Sequence, residues 1–354
     1  MQSHCLLGNE QGLITLPSCE STEEESFFYL LASHEVVRPP PRARICLATL
    51  TDNELLTLCR FSSRDIDEIS RLLQLPPDFQ PISRYRLSRH EGLFLLCTFL
   101  AAPTPLDTLS ILLGYPKSVI SEGINWMMEY LFKHWDFLLQ DFKSGQLTPD
   151  RLSLFARKVF EHGAPLEHCV GFIDCTIRGI CRPSQWQQMA YNGHKKYHAL
   201  KYSAIKSPDG LIYHLFGPYE GRRNDNALLA ESKVLERYHT YAPNYCLYGD
   251  SAYPLSTSLL SPFSKLRLTP EEKAWNKAMS TRRECVEWGF GDVLRLWRRL
   301  DYRPDQKIFS SSIGIQYRVS VLLTNIHICL YGSETSLFFN CAPPVLAKYL
   351  QKCS

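Results

Sequence analysis

The spacing of apolar residues changes near residue 170, and this change constrains the fold more than any other feature of the sequence. From residue 51 to about residue 139, apolar side chains recur every three to four positions, and prolines interrupt the series at 76–77 and 103–105. That period is typical of helices with one buried face. From Val170 onward, short apolar runs between turn residues indicate strands. We therefore expect an α+β chain, in which a helical first half precedes a mixed α/β second half.

The second half has a readable order of elements. Pro208-Asp-Gly210 is a turn signal between two apolar runs, so it predicts a β-hairpin. The predicted elements are a buried strand at 170–174, hairpin strands at 197–205 and 211–216, a helix at 225–237, a strand at 245–248, and helices at 281–300 and 317–330. This order predicts a mixed sheet flanked by helices.

Composition suggests where the domains begin and end. Residues 1–45 combine an acidic run at 20–25 with a proline-rich stretch at 38–42, a composition that seldom builds a core. We therefore expect a loose leader at 1–45 and a helical domain at 46–165. A mixed-sheet domain at 166–335 and a C-terminal tail at 336–354 complete the prediction.

Part of the helical domain has the outline of a helix-turn-helix. A helix at 106–113, a turn at 114–117 and a helix at 118–132 have suitable lengths. The second helix offers few side chains that read base edges, and the candidates are Lys117, Ser118, Ser121 and Asn125. We therefore favour an ordinary helical hairpin over a DNA-reading element.

Charge is divided unevenly between the two halves. Residues 1–169 hold 15 Lys and Arg against 21 Asp and Glu, whereas residues 170–354 hold 24 against 15. Clustered cations attract phosphates, so the second half is expected to meet a polyanion.

Other features of composition concern location. The chain shows no signal-peptide pattern, and no apolar stretch approaches the roughly 20 residues that span a bilayer. The 13 cysteines include no C-x-x-C pair, which favours reduced thiols over a disulfide framework or a zinc site. We expect an intracellular protein without a membrane partner.

Three acids occupy related places in the second half. Asp174 ends the first predicted strand, Asp250 follows a later strand, and Glu287 lies on a late helix. Strand ends on one edge of an α/β sheet converge, so the three carboxylates are expected to meet in one cleft. Mg²⁺ or Mn²⁺ prefers such ligands, and two ions about 4 Å apart can promote hydrolysis of a phosphodiester. An ion pair of Glu287 with Arg282 or Arg283 is the competing, structural interpretation.

Asp225 is a fourth acid in the same half. It stands two residues before Ala227. Ala227 begins the apolar run of the helix predicted at 225–237. A further metal ligand and a helix N-cap are both open interpretations, and this position favours the N-cap.

Basic side chains between these acids are candidates for phosphate contacts. They are His194, Lys195, Lys196, His198 and Lys201 near the first hairpin strand, and Arg222 and Arg223 before a predicted helix N-terminus. Simple solvation is the competing interpretation for each lysine. The same region holds four tyrosines that could stack on bases, although we favour their role as strand formers: Tyr191, Tyr197, Tyr202 and Tyr213.

Six short motifs occur in an order that resembles a known family. They are Ile173-Asp-Cys-Thr176, Tyr191-Asn-Gly-His-Lys195, Pro208-Asp-Gly210, Gly221-Arg-Arg-Asn-Asp225, Tyr248-Gly-Asp-Ser-Ala-Tyr253 and Arg283-Glu-Cys-Val-Glu287. Together, over residues 165 to 331, they resemble the DDE superfamily endonucleases of PIF/Harbinger transposases. The resemblance implies an RNase H-like core in which Asp174, Asp250 and Glu287 are catalytic and hold two Mg²⁺ or Mn²⁺ ions. Trp288 departs from the arginine that often follows the catalytic glutamate, which puts a phosphate contact or a salt bridge there in doubt.

The resemblance also implies a function. It implies a transposase or domesticated endonuclease that cuts DNA in the nucleus, with the cytoplasm as a second location. A Myb-like DNA-binding accessory protein and a homo-oligomer that pairs two DNA ends are the implied partners. Two alternatives stay open: a catalytically silent, transposase-derived DNA-binding or scaffold protein, and an RNase H-like enzyme acting on RNA or hybrids. The presence of all three acids favours a DNA-cutting enzyme.

Overall fold

The computed structural model of the chain describes residues 8–9, 12–13, 43–80, 85–142 and 147–352. The chain divides into two compact units, Met1–Ala43 and Arg44–Ser354. In the first unit, strands β1 (Gly8–Asn9) and β2 (Gly12–Leu13) pair antiparallel. Most of the predicted leader lies outside the described residues. The second unit contains the helical half and the mixed sheet.

The first part of the second unit is helical, as the apolar spacing predicts. Its helices are α1 (Asp52–Cys59), α2 (Ser63–Leu72), α3 (Arg89–Ala101), α4 (Leu106–Leu113), α5 (Lys117–Trp135) and α6 (Pro149–Glu161). The prolines at 76–77 separate α2 from α3, and those at 103–105 separate α3 from α4. Each of α1, α2 and α3 begins at a capping box, which satisfies backbone N–H groups of the first turn. Between α2 and α3, the short strands β3 (Asp78–Phe79) and β4 (Leu87–Ser88) pair antiparallel.

Helices α4 and α5 lie where the sequence predicts either a helix-turn-helix or an ordinary helical hairpin. Gly114 ends α4 with a φ of 72°, a left-handed conformation that glycine adopts readily, and α5 begins three residues later. Among the side chains considered for base reading, Lys117 forms an exposed ion pair with Asp107 at 2.7 Å. A DNA-reading role for this pair of helices stays a prediction.

A six-stranded mixed sheet lies at the centre of the second half. Its strands are β5 (Cys169–Gly179), β6 (Tyr191–Asn192), β7 (Tyr197–Lys206), β8 (Ile212–Glu220), β9 (Cys246–Tyr248) and β10 (Leu259–Leu260). The strand order is β10-β9-β5-β7-β6, and β8 also pairs with β7. Strand β5 runs parallel to β9 and antiparallel to β7. The predicted hairpin is confirmed in β7 and β8, with Gly210 at a φ of 90° in its turn.

Helices and 3-10 turns flank this sheet. The helices are α7 (Gln187–Ala190), α8 (Asp225–Ser232), α9 (Val234–Tyr241), α10 (Pro270–Leu296), α11 (Ile313–Tyr331), α12 (Glu334–Phe338) and α13 (Leu346–Tyr349). The 3-10 turns of the second unit are Leu47–Thr49, Asp136–Leu139, Arg298–Asp301 and Arg303–Asp305.

Two predicted helix boundaries are wrong. The single helix at 225–237 is two helices, because Lys233 between α8 and α9 adopts a left-handed φ of 50°. The helix predicted at 281–300 begins eleven residues earlier, at Pro270. Thr269 caps it in a capping box with Glu272, and proline is favoured at a first helical position.

Helix α11 is an apolar helix of 19 residues inside the core. Among the described residues it is the one helix long and apolar enough to cross a membrane, which corrects the expectation that no stretch approaches that length. In the fold, 72% of the most apolar stretch of this helix is buried. Its Arg318 contacts both carboxylate oxygens of Asp136, at 2.6 and 2.9 Å, and its Asn325 exchanges hydrogen bonds with the backbone of Ile212 in β8. Such burial is that of a core helix, so the membrane evidence is weak.

One continuous cluster of buried apolar side chains extends through the second unit. It includes Leu55 of α1, Trp135 of α5, Phe172 of β5 and Tyr349 of α13. The helical half and the sheet are therefore packed together and hold β5 in a fixed environment.

Candidate metal and nuclease site

Asp174, within β5, and Asp250, two residues past the end of β9, stand at equivalent positions along two neighbouring chain segments. Phe172 of β5 pairs with Tyr248 of β9, and each acid lies two residues beyond its member of this pair. Because the two strands are parallel, both acids lie toward the same edge of the sheet. One detail of the prediction is wrong, because β5 continues past Asp174, which lies opposite Ala204 of β7. The end of the short strand β9, and not the end of β5, brings the two acids to one edge.

Glu287 is connected to this edge through an arginine of α10. Nη1 of Arg283 lies 2.8 Å from Oδ2 of Asp174, and Nη2 lies 3.5 Å from Oε1 of Glu287. Arg283 and Glu287 are four residues apart, so they share one face of the helix. The Asp174 side chain is 14% exposed, whereas Glu287 is largely open to solvent. The guanidinium therefore lies between one buried and one exposed carboxylate.

The ionisation of Asp174 responds to both other acids. Burial raises the pKa of its carboxyl from 3.8 to about 6. The Arg283 guanidinium and the backbone N–H of Cys175, which donates to Oδ1 at 2.7 Å, act to lower the pKa. The charges of Asp250 and Glu287 act to raise it. The three carboxylates thus share one electrostatic environment.

The donor atoms at this edge suit a hard divalent cation. Carboxylate oxygens are the ligands that Mg²⁺ and Mn²⁺ prefer, and the three acids together carry more charge than Arg283 balances. In the described part of the chain, no three acidic, histidine or cysteine side chains are grouped closely enough to hold a metal ion together. The three acids fit a divalent cation by charge and donor type. In this structure the guanidinium of Arg283 lies between Asp174 and Glu287.

Asp225 pairs with a buried lysine. The N-cap of α8 is Asn224, whose Oδ1 accepts a hydrogen bond from the backbone N–H of Ala227 at 2.8 Å, so the predicted N-cap is wrong by one residue. Nζ of Lys201 lies 2.6 Å from Oδ1 of Asp225 and donates to the backbone carbonyl of Arg223 at 2.8 Å. The buried Lys201 side chain is occupied by these contacts, and its interpretation as a phosphate contact is wrong.

The Lys201–Asp225 pair lies near the three acids. Oη of Tyr253 is 3.3 Å from Sγ of Cys175, the residue after Asp174. Burial and the charges of Asp225 and Asp174 all act to raise the pKa of Tyr253. Asp225 is thus a fourth acid in the neighbourhood, with a lysine as its counter-ion.

The exposed basic candidates gather at another place on the sheet. His194, Lys195 and Lys196 occupy the turn between β6 and β7. The side-chain amide of Asn192 donates to the carbonyl of Gly221 at 2.6 Å, which brings Arg222 to the same turn. Lys196 is eight residues along β7 from the partner of Asp174, a separation of roughly 25 Å at about 3.3 Å per residue.

Arg223 differs from the other candidates. Its guanidinium pairs with Glu220 at 3.4 Å and with Glu231 at 3.1 Å. These acids offset its charge, so Arg223 offers a phosphate less than Arg222 does.

The four tyrosines divide into two groups. Tyr202 and Tyr213 are buried in β7 and β8, which confirms the strand-former interpretation for both. The ring of Tyr197 lies under the guanidinium of Arg303, whose central carbon is 4.0 Å from the ring centroid. Only Tyr191 of the four is exposed.

Two ion pairs of the site have no signal in the local sequence. Glu287, four residues after Arg283, is a partner that the spacing suggests, whereas Asp174 is 109 residues away from Arg283. Arg282, the other candidate partner of Glu287, donates instead to the carbonyl of His162. The Lys201–Asp225 pair spans 24 residues and has no local signal either.

A six-stranded mixed sheet with flanking helices, and three acids in one electrostatic environment, are consistent with a DDE nuclease fold. Residues 173–325 match the family model described as DDE superfamily endonuclease. The matched segment contains Asp174, Asp250 and Glu287 and covers less than half of the 354 residues. Comparisons with curated proteins and with solved structures find no match. The match supports the resemblance at the level of the superfamily, and the PIF/Harbinger assignment stays a prediction.

Proposed function

We propose that this chain is a divalent-metal-dependent endonuclease of the transposase type, which hydrolyses phosphodiester bonds in DNA. The observation that carries the proposal is the equivalent placement of Asp174 in β5 and of Asp250 just past the parallel strand β9, with Glu287 connected to Asp174 through Arg283. The match of residues 173–325 to DDE superfamily endonucleases supports the class of reaction.

In this proposal Asp174, Asp250 and Glu287 are the metal ligands. Asp174 would contribute to the binding of both of two Mg²⁺ or Mn²⁺ ions, and Asp250 and Glu287 would each favour one. When bound, such ions activate an attacking water and stabilise the departing 3′ oxygen. Asp174 takes this role only when its carboxyl is deprotonated and released by Arg283. Its raised pKa means that mildly alkaline conditions favour the deprotonated form.

A nucleic acid is the proposed substrate because the second half of the chain carries an excess of cations, and DNA is proposed because residues 173–325 match DDE superfamily endonucleases. Residues 170–354 hold 24 Lys and Arg against 15 Asp and Glu. The exposed side chains of His194, Lys195, Lys196 and Arg222 are proposed to contact phosphates, with a smaller contribution from Arg223.

The remaining assignments follow from the family resemblance and belong to the same proposal. They are an RNase H-like core at 166–335 behind a helical domain at 46–165, a PIF/Harbinger origin, a Myb-like accessory partner, a homo-oligomer and a nuclear location.

Matched oligonucleotides of one sequence, prepared as DNA duplex, RNA duplex and hybrid, test this proposal. With Mg²⁺ or Mn²⁺, the wild-type chain is expected to cut the DNA duplex and to stop when EDTA removes the metal. The variant Asp174→Ala/Asp250→Ala/Glu287→Ala is expected to cut nothing, while Asp107→Ala, which removes an exposed acid of α4, keeps full activity.

If the chain cuts RNA or the hybrid in preference to the DNA duplex, the preferred nucleic acid and not DNA is the substrate. No cleavage by the folded wild-type chain, with a Myb-like partner and element ends supplied, would contradict the proposal. That result would favour a silent DNA-binding or scaffold protein.

A further inference from the structure

Trp186 is an exposed tryptophan on a strained backbone. All six tryptophans lie within the described residues, and Trp186, at 64% exposure, is the one that is exposed. Its φ of 51° and ψ of 35° fall in the left-handed region, which bulky side chains rarely adopt. An exposed apolar ring contributes little to the stability of the isolated chain, and the left-handed backbone adds strain. The exposure and the strain of Trp186 together point to a ligand that binds this ring.

Two further exposed rings belong to the same region, Phe309 beside Trp186 and Tyr191 five residues further along the chain. The centroid of the Phe309 ring is 5.7 Å from that of Trp186, and Phe309 is 54% exposed. Tyr191, 41% exposed, stands edge-on to the ring of His198 at 5.5 Å. We call Trp186, Tyr191 and Phe309 the aromatic platform.

A shallow depression adjoins the platform. It is lined by Gln187, Gln188, Tyr191, Gly193, His198 and Arg222. Apart from Gly193 itself and its two chain neighbours, no heavy atom lies within 4 Å of the position that a Cβ on Gly193 would take, so the depression is open there. Amides, an aromatic ring and an arginine together suit a ligand with flat polar rings and negative charge.

Four exposed cations around the platform have no carboxylate partner among the described residues. Between Asp174 and Asp209 the chain has no acid and six Lys and Arg, of which Lys201 and Lys206 are buried and pair with Asp225 and Asp292. Arg182 donates to the neutral side chain of Gln187 at 2.9 Å. Within the described residues, none of the exposed side chains of Arg182, Lys195, Lys196 and Arg222 has an ion pair, in contrast to Arg223. These charges remain available to an anionic ligand.

We propose that the aromatic platform and these cations form a binding site for unpaired nucleotides of a DNA strand. Bases stack on Trp186, Tyr191 and Phe309, and the phosphates lie against the cations. Exposed rings favour a single strand, because the bases of a duplex are already stacked on each other and only unpaired bases offer a free face. The site rests on the proposed function in one respect, which is the choice of DNA as the nucleic acid. Roughly 25 Å of β7 separates it from Asp174, so it holds a strand that flanks the cut.

Binding of fluorescein-labelled oligothymidine in EDTA tests the site without any cleavage. The wild-type chain is expected to bind the single strand more tightly than a blunt duplex of equal length, with quenching of tryptophan emission. Trp186→Ala is expected to lose affinity roughly tenfold, the usual order for one stacked base. Trp186→Phe keeps a ring, so it is expected to retain most of the affinity and to lose the quenching.

Two further variants separate the platform from general surface effects. Lys195→Ala/Lys196→Ala is expected to weaken binding and to reduce its dependence on salt. Phe160→Ala removes an exposed ring of α6 outside the platform and is expected to bind like wild type. Circular dichroism establishes that each variant is folded.

Unchanged affinity in Trp186→Ala, quenching that persists in Trp186→Phe, or absence of binding by the wild-type chain would overturn the site. Equal or tighter binding of the RNA strand of matching sequence would overturn the choice of DNA. Cleavage assays with metal separate the two proposals. If the chain binds DNA through Trp186 but cuts no DNA, the binding site is supported and the proposed function is contradicted. If the chain cuts DNA but binds it equally well without Trp186, the proposed function is supported and the binding site is contradicted.

Discussion

Arg283 binds Asp174 through an ion pair in which Nη1 lies 2.8 Å from Oδ2, and the same guanidinium reaches Glu287. One cation of the chain thus balances part of the charge of a carboxylate that is mostly buried. Without this contact, burial alone would favour the protonated carboxyl still more strongly. The pair therefore preserves the ionisation of Asp174 and at the same time competes with any other cation for it.

Asp174→Asn is predicted to stabilise the fold at alkaline pH. The pKa of Asp174 is about 6 in the folded chain, against 3.8 as its ordinary value. Because the folded chain holds this proton more tightly, the associated stability is present below pH 4 and is lost as the pH rises to about 6. The variant avoids that loss, so its free energy of unfolding at pH 8 should exceed that of wild type by roughly 2–3 kcal/mol at most.

Urea unfolding at pH 8 and pH 4 measures this difference. The gain should vanish at pH 4, and Glu129→Gln on the exposed face of α5 should show no gain at either pH. A variant less stable than wild type at pH 8 would show that the Asp174 carboxylate stabilises the fold.

Arg283→Met is predicted to raise the pKa of Asp174 above 6. The variant removes an opposite charge that lowers this pKa, while burial and the neighbouring acids remain. Carbon-13 NMR titration of the aspartate carboxyls measures the shift directly. Arg282→Met is the matched control, because Arg282 donates to the carbonyl of His162 and leaves the acids untouched. An unchanged titration in Arg283→Met would mean that the ion pair does not form in solution.

Mn²⁺ is predicted to raise the melting temperature of the wild-type chain, since a ligand that binds only the folded state stabilises it by mass action. The rise should disappear on addition of EDTA and in the Asp174→Ala/Asp250→Ala/Glu287→Ala variant. It should also be smaller at pH 5 than at pH 8, because protons compete for Asp174 below its pKa of about 6. An equal rise in the triple variant would place the metal elsewhere.

Lys201→Met is predicted to destabilise the chain by about 2–4 kcal/mol, because it leaves the Asp225 carboxylate without its counter-ion in a largely buried setting. Asp225→Asn in the same background should recover part of the loss. A double-mutant cycle by urea unfolding measures the coupling. The exposed Lys133–Glu129 pair of α5 is the control, and its coupling should stay below about 0.5 kcal/mol. Equal coupling in the two pairs would contradict the buried arrangement.

Elements with several periods of apolar spacing or clear turn chemistry were predictable from the sequence. Helices α1 to α5 follow the apolar series and its proline breaks, and the hairpin of β7 and β8 follows Pro208-Asp-Gly210. The sequence also predicts that Asp174 and Asp250 lie toward one edge of the sheet, because each acid follows a short apolar run that indicates a strand. The start of α10 was readable from Thr269, Pro270 and Glu272, although the prediction placed it later.

Other features leave no local trace in the sequence. Strands β6 and β10 have two residues each, too few for a period, and exist only through their partners β7 and β9. The pairing of Arg283 with Asp174 depends on how α10 packs against β5. Trp186 stands between Gln185 and Gln187, and nothing in this local sequence predicts its left-handed φ of 51°.

Nicking of supercoiled plasmid DNA by the purified chain, with Mg²⁺ or Mn²⁺ present, tests the central claim most directly. The account predicts that the wild-type chain converts supercoiled to open-circular DNA, and that changing Asp174, Asp250 and Glu287 to Ala abolishes the conversion while Asp107→Ala leaves it intact. Nicking at the wild-type rate by the folded triple variant would contradict the assignment of these three acids.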